Sequence, residues 1–200
     1  MSPGLWAAAG VAVLELDSTM AVQSMVSRPV VLGPLLGALY GQAGLGAVLG
    51  ALWELASLDA LPIGGSLPIN ATAAAGASLL LSLGGGLAPE AAFPCGVAAG
   101  WTHQRLEGFL RRRRAACARR CERRISEGGA PGLGASLAAE LAKQALMTFM
   151  VLAAVVIARP WLSAAWTTSP ESLRGCLRFA LEALPWMALA ALLHSLRIAA

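Results

Sequence analysis

The sequence predicts an all-α fold: a polytopic helical membrane protein with broken or re-entrant helices and a cytoplasmic basic helix. Of its 200 residues, 57% are hydrophobic and 13% are charged, which is roughly half the charged fraction of a soluble domain. The mean hydropathy is +0.66, and the long apolar runs are interrupted by many of the 22 glycines and 11 prolines. These observations indicate an integral membrane protein whose helices stop and restart inside the bilayer.

Charge divides the chain into three expected parts. An N-terminal membrane region, 1–104, would hold a ligand site, and 105–135 would form a cytoplasmic basic helix and linker, followed by a transmembrane helix pair at 136–200. Nine of the 15 basic residues lie between Arg105 and Arg124, and the positive-inside rule places that segment in the cytoplasm. Contact with anionic lipid headgroups suits it, whereas nucleic-acid binding is not expected because topology already accounts for the charge.

The first third of the chain carries polar side chains that a helix built only to span lipid would not need. Polar groups at membrane depth usually line a bundle interior or a water-filled path, and interrupted helices at that depth are typical of transporter binding regions. We therefore expect this region to shelter a small solute. The candidate binding residues are Asp17, Gln23, Arg28, Gln42, Glu54, Asn70 and Thr72.

The first apolar stretch is short for a complete span. A helix that begins at Pro3 rises only about 21 Å by Asp17, whereas roughly 20 residues are needed to cross. The helix either continues past Asp17 or stops short, and both options bring Glu15 and Asp17 near a polar interior. A carboxylate pair at the water interface is the alternative. Since no basic segment precedes the stretch, we expect an anchoring segment rather than a cleaved signal.

A re-entrant pair of helices is predicted next. Arg28-Pro29 breaks the helical pattern, because proline lacks a donor and restricts the residue before it. The apolar stretch 30–58 is too long for one upright span, so we expect two segments that meet near residues 40–44. Close helix packing is favoured by glycines four residues apart, which are Gly33, Gly37 and Gly41, and then Gly46 and Gly50.

A half-crossing helix is predicted over 71–83, with Asn70 or Thr72 as its N-cap. The positive end of this helix would favour an anionic or hydroxyl-rich ligand, although Asn70 can equally serve as a cap alone. A glycine turn at 84–86 and a crossing over 87–104 follow.

Two further spans are expected at 136–158 and 176–196, joined by an external loop at 161–175. Glu140 and Lys143 lie one turn apart near the start of the first span, where we expect them to pair.

No catalytic residue, metal ion or cofactor is expected. His103 and His194 lie far apart near the ends of apolar runs, and neither has a partner that would make a catalytic or metal site. The four cysteines are expected to be reduced thiols, since closed zinc sites need four ligands. A membrane enzyme that uses Glu54 and Asp59 is disfavoured because no nucleophile–base pair accompanies them.

An ordered set of residues over 16–72 carries a resemblance to a known family. The set is Leu16-Asp17, Gln23, Ser27-Arg28-Pro29, Gly33-Pro34-Leu35, Gly41, Gly50, Glu54-Leu55 and Pro62-Ile63-Gly64. It resembles the IIC subunit of the mannose/fructose/sorbose family of the bacterial phosphoenolpyruvate-dependent sugar phosphotransferase system. The basic helix and the two later spans match in placement, so the resemblance extends over nearly the whole chain.

The resemblance implies a transport subunit of the bacterial inner membrane rather than an enzyme. A IID membrane subunit would join it to bind a hexose and carry it across by an elevator-like movement, in a homo-oligomer of IIC–IID units. Soluble IIA and IIB proteins would phosphorylate the sugar. Glu54 and Asn70 would bind sugar hydroxyls, with Asp17, Gln23 and Arg28 nearby, and Arg28 could equally pair with Asp17.

Three departures from the family pattern leave a second hypothesis open. Gln42 replaces the usual Asp after Gly41, Ile69-Asn70 replaces the usual Pro-Asp, and a last hydrophobic hairpin of full-length members is expected to be missing. The alternative is a degenerate, non-transporting IIC-like subunit with a regulatory or scaffolding role, which would bind phosphotransferase proteins through the basic helix.

Overall fold

A computed structural model describes residues 2–19, 24–58, 68–128 and 133–199. Within these ranges the chain forms seven α-helices and no β-strand, which confirms the predicted all-α class. The helices are α1 (Pro3–Thr19), α2 (Pro29–Leu39), α3 (Ala43–Ala56), α4 (Ala71–Gly85), α5 (Pro89–Ser126), α6 (Leu133–Thr168) and α7 (Glu171–Ala199).

Helices α2 and α3 form the predicted re-entrant hairpin. Pro29 occupies the first turn of α2, and Arg28 before it is extended, with φ −63° and ψ 141°, as expected for a residue that precedes proline. At 1.5 Å per residue, the two helices are about 16 and 21 Å long, and each is shorter than the roughly 30 Å hydrocarbon core. The chain therefore enters, turns at Tyr40–Gln42 and returns, as predicted.

Glycines let the backbones of this hairpin touch. A Cβ on Gly33 would meet the carbonyl oxygen of Gly46 and lie 2.8 Å from the Cα of Gly50. A Cβ on Gly46 would lie 2.8 Å from the Cα of Gly37. The close packing expected from the glycine spacing is thus confirmed for these four residues. Gly41 has a different role, because its φ of +69° places it in the left-handed region that the turn requires.

Helix α4 lies at the centre of the bundle. It packs against α1, α2, α3, α5 and α6, and every residue from Thr72 to Leu83 is buried. Small side chains over Ala73–Ser78 allow neighbouring helices to approach closely. The helix ends at Gly85 and is capped by Gly86, whose φ of +64° is left-handed. The predicted glycine turn is thus confirmed.

Helices α5 and α6 are longer than the sequence suggested. At about 57 and 54 Å, they extend well beyond a hydrocarbon core of roughly 30 Å. The expected boundaries at 104/105 and 135/136 fall inside these continuous helices. The loop expected at 161–175 is wrong: α6 continues through Pro160 to Thr168, and only residues 169–170 separate it from α7. A proline is tolerated here because packing and local adjustment can satisfy the freed carbonyl.

Among the described residues, two helices have the length and composition of complete membrane spans, at Gly134–Thr168 and Glu171–His194. Helices α2, α3 and α4 are apolar but shorter. Long spans together with half-length helices match the predicted architecture.

Replacing Gly50 with alanine should destabilise the hairpin. The new Cβ would meet the carbonyl oxygen of Pro29 and lie 3.0 Å from the Cα of Gly33, both of them backbone atoms. We expect Gly50→Ala to lower the free energy of unfolding by about 1–3 kcal/mol, measured by thermal unfolding in detergent. Gly44→Ala, in the same helix, is the control: a Cβ there meets nothing within 4 Å, so no loss of stability is expected. Equal stability of the two variants would contradict the packing described.

Candidate functional site

Three interrupted segments of the chain meet at one end of the bundle. The Arg28 guanidinium lies 2.7 Å from Oε1 of Glu54, and the Val30 amide donates to Oε2 of the same carboxylate at 3.3 Å. The hydroxyl of Thr72, which is buried, donates to the carbonyl of Ser27 at 2.9 Å. The start of α2, the end of α3 and the start of α4 are therefore joined by polar contacts.

A recess of about 230 Å³ opens beside this junction, and we call it the aromatic recess. The Trp53 and Phe93 rings stack there with centroids 4.2 Å apart and an interplanar angle of 16°. The indole N–H of Trp53 is buried and has no acceptor among the described residues. Glu54 and Asn70 are sequence neighbours of residues that line the recess. The lining residues are Trp53, Ala56, Ser57, Ile69, Ala71, Phe93 and Val97.

Asn70 has two structural roles at the edge of the recess. Its Oδ1 accepts a hydrogen bond from the Ala73 amide at 2.9 Å, so the predicted N-cap of α4 is confirmed. Its Nδ2 donates to Oε1 of Glu15 at 2.9 Å. Asn70 thus links the start of α4 to a carboxylate on α1.

Glu15 belongs to a second group of buried polar side chains, which we call the inner cluster: Glu15, His103, Glu107, Gln144 and Thr148. All except Glu107, at 5%, have no measurable exposure. His103 Nε2 lies 2.9 Å from the hydroxyl of Thr148, and that hydroxyl lies 3.2 Å from Oε2 of Glu15. Gln144 Nε2 contacts both Glu15 oxygens, at 3.4 and 3.3 Å.

Sequence reasoning missed the inner cluster. The buried contacts of His103 were not foreseen, since its partner Thr148 lies on a different helix. A usable signal was present, because His103 and Glu107 are four residues apart, as are Gln144 and Thr148. Residues at that spacing share one helix face, so each long helix carries a polar face.

The other residues predicted for the site do not all lie at the junction of α2, α3 and α4. Asp17 accepts hydrogen bonds from the amide and hydroxyl of Ser24, at 2.7 and 2.8 Å, and Arg28 pairs with Glu54 rather than with Asp17. Gln23 and Asp59 lie outside the described residues.

Gln42 lies at the opposite end of α4 from Asn70. Its Nε2 contacts the carbonyl of Leu83 at 3.4 Å, and Arg159 donates to the carbonyl of Gly84 at 2.6 Å. Because α4 is about 22 Å long, Gln42 does not join Glu54 and Asn70. Gln42 and Arg159 instead satisfy carbonyls at the C-terminus of α4.

A helical bundle with a half-crossing hairpin and two polar groups at its interrupted ends defines a polytopic membrane protein of transporter type. The family model described as the PTS system sorbose-specific IIC component matches residues 4–198. The chain therefore belongs to this family, and the resemblance carried by its first third is confirmed.

Solved structures share the fold. One, described as "Structure of membrane protein", superposes with a TM-score of 0.81 at 16% identity, covering 98% of this chain and 80% of the other. A second, described as a cryo-EM structure of the mannose transporter ManYZ in complex with microcin E492, gives a TM-score of 0.61 at 17% identity with the same coverage. The comparison with curated proteins gave no match.

The link between Asn70 and Glu15 can be separated from capping by two substitutions. Asn70→Ser keeps a side-chain oxygen for the N-cap but is too short to reach Glu15, so we expect a loss of about 1.5–3 kcal/mol, typical of a hydrogen bond to a charged group. Asn70→Ala removes the cap as well and should cost roughly 1 kcal/mol more. Thermal unfolding in detergent measures both. If Asn70→Ser were as stable as the unaltered chain, the contact with Glu15 would contribute nothing.

Proposed function

We propose that this chain is the IIC subunit of a sugar phosphotransferase permease that binds a hexose and translocates it together with a IID subunit. Family membership supports a membrane transport component. A structure of the same fold is described as a mannose transporter. The observation that carries the proposal for the site is the aromatic recess, which is lined by Trp53, a residue whose buried indole N–H has no acceptor among the described residues and which precedes Glu54 of the Arg28–Glu54 pair.

The chemistry of the recess, of the Arg28–Glu54 pair and of Asn70 suits a polyhydroxylated ring. Glu54 offers carboxylate acceptors to sugar hydroxyls, the Trp53 indole offers a donor, and the Arg28 guanidinium has further donors beyond those that face Glu54. The Asn70 carboxamide keeps one N–H and one lone pair beyond its contacts with Glu15 and Ala73. The recess is somewhat smaller than most small-molecule sites, which start near about 300 Å³, so it suits a monosaccharide rather than a larger solute.

Most of the other candidate residues act indirectly in this proposal. Asp17 accepts from Ser24, and Thr72 donates to Ser27, so these two residues hold the start of α2 against α1 and α4 beside the recess. Gln23, which lies outside the described residues, stays a candidate for contact with the sugar. Gln42 supports the far end of α4.

The proposal also places the chain in its assembly. The basic extension of α5, residues 105–126, would face the cytoplasm of a bacterium, because arginines are retained on that side of the inner membrane. IIA and IIB proteins would phosphorylate the sugar there, so the chain itself transports without transferring phosphate. Units of IIC and IID would associate as a homo-oligomer.

A non-transporting regulatory or scaffolding subunit is the second candidate function. It is favoured by one observation: the proposed sugar-binding groups already bind each other, Glu54 with Arg28 and Asn70 with Glu15. In this alternative the exposed arginines of α5 would bind soluble phosphotransferase proteins, and no sugar would bind.

Glu54→Gln distinguishes the two functions. In the chain purified with its IID subunit, we expect the substitution to weaken binding of mannose, fructose or sorbose at least tenfold, because a hydrogen bond to a charged group contributes about 1.5–3 kcal/mol. Isothermal titration calorimetry measures this. Glu140→Gln is a matched control: the Glu140–Lys143 pair has the same 2.7 Å length, and both carboxylate side chains are 17% exposed. Equal effects of the two substitutions would remove Glu54 from the site, and no binding by the unaltered complex would favour the regulatory role.

Trp53→Phe tests the indole donor. Phenylalanine retains an aromatic ring against Phe93 but lacks the N–H, so the sugar would lose one neutral hydrogen bond of about 0.5–1.5 kcal/mol. We expect sugar affinity to fall about two- to tenfold, with little change in thermal stability. Phe109→Leu, an exposed aromatic on the basic extension of α5, is the control. Unchanged affinity in Trp53→Phe would show that the indole N–H does not contact the sugar.

A further inference from the structure

The inner cluster brings together three potential metal ligands, none of which lines the aromatic recess. Glu15 on α1 and His103 and Glu107 on α5 each offer one ligand atom, and these atoms all lie within 4.8 Å of one another. The three side chains are buried, with exposures of 0%, 0% and 5%. A close group of two carboxylates and one imidazole in a protein interior is uncommon, because charged groups are costly there unless they are paired.

The group holds more potential negative than positive charge: His103 Nε2 lies 3.8 Å from Oε1 of Glu15 and pairs with it only when the imidazole is protonated. Arg111 reaches Oε1 of Glu107 at 2.8 Å, but its side chain is 54% exposed, so the ion pair is screened by its surroundings. Two carboxylates at short range repel each other strongly in a low-dielectric environment. A divalent cation between them would offset both charges at once.

Two further polar atoms of the cluster lack a hydrogen-bond partner among the described residues. They are Oε1 of Gln144 and Nδ1 of His103, and both are buried. The Gln144 carboxamide already contacts Glu15, and a half-turn of that group would exchange its nitrogen and oxygen. Its oxygen would then face a cation bound to the carboxylate. The buried Gln144 oxygen therefore offers a lone pair to a cation held by the neighbouring carboxylate.

We propose that Glu15, His103 and Glu107 bind a divalent transition-metal cation of the Zn²⁺, Co²⁺ or Mn²⁺ type, with Gln144 as a further oxygen ligand. The imidazole argues against Mg²⁺ and Ca²⁺, which prefer all-oxygen sites, and the lack of a thiolate in the cluster argues against Cu⁺. Metal–ligand bonds of about 2.0–2.2 Å would draw the ligand atoms to separations of about 3.3–3.6 Å. The ion would join α1 to α5 and, through Asn70, fix the start of α4.

The test is Co²⁺ binding by the full chain purified in detergent and treated with a chelator. Equilibrium dialysis gives the stoichiometry, and the visible absorption of Co²⁺ reports nitrogen and oxygen ligation. We expect one equivalent bound, with affinity reduced at least tenfold in His103→Gln. His194→Gln changes the other histidine of the chain, which is exposed, and should bind as the unaltered chain does.

A second variant and a second measurement cover the case in which His103→Gln fails to fold. Glu107→Gln keeps the side-chain shape and a contact with Arg111, and it should also bind Co²⁺ at least tenfold more weakly. Zn²⁺ should raise the thermal unfolding temperature of the unaltered chain but not that of Glu107→Gln, whereas Mg²⁺ should raise neither. The proposal is overturned if no Co²⁺ binds, if Glu107→Gln binds it normally, or if the spectrum shows thiolate ligation, which would assign the ion to the cysteines.

Discussion

The burial of one carboxylate constrains the arrangement of the bundle. Glu15 has no exposure, and its contacts come from Asn70 at the start of α4 and from Gln144 and Thr148 on α6. A buried charge is tolerated only when hydrogen bonds replace water, so α1, α4 and α6 must hold their relative positions. Since Asn70 also caps α4, the same carboxylate fixes the wall of the aromatic recess. The inner cluster and the recess are therefore physically connected through a single carboxamide.

Local chemistry made much of the fold predictable. Pro29 sets the start of α2, Gly41 and Gly86 adopt left-handed turns, and Asn70 caps α4; each feature depends on the residue and its immediate neighbours. The limits of the long helices were not predictable in this way. The span expected at 136–158 stops short of Pro160, yet α6 continues through that residue, because tertiary packing decides whether a kinked helix is supported.

The candidate site was predictable in its residue types but not in its grouping. The sequence singled out Glu54, Asn70 and Gln42 as polar groups at membrane depth, and the fold separates Gln42 from the other two by the length of α4. Arg28 pairs with Glu54, which is 26 residues away in sequence. His103 contacts Thr148, which is 45 residues away in sequence. Partners at such separations are set by how helices pack, which periodicity along one helix does not reveal.

The continuity of α5 has a mechanical consequence. Phe93 stacks on Trp53 in the aromatic recess, and the same uninterrupted helix ends at Ser126 in the basic segment, about 50 Å further along its axis. Such a rod acts as a lever: a tilt of about 5° pivoting near Phe93 would displace the arginine-rich tip by roughly 4 Å over that length. A change of helix tilt beside the stacked rings would therefore produce its largest displacement at the arginine-rich tip.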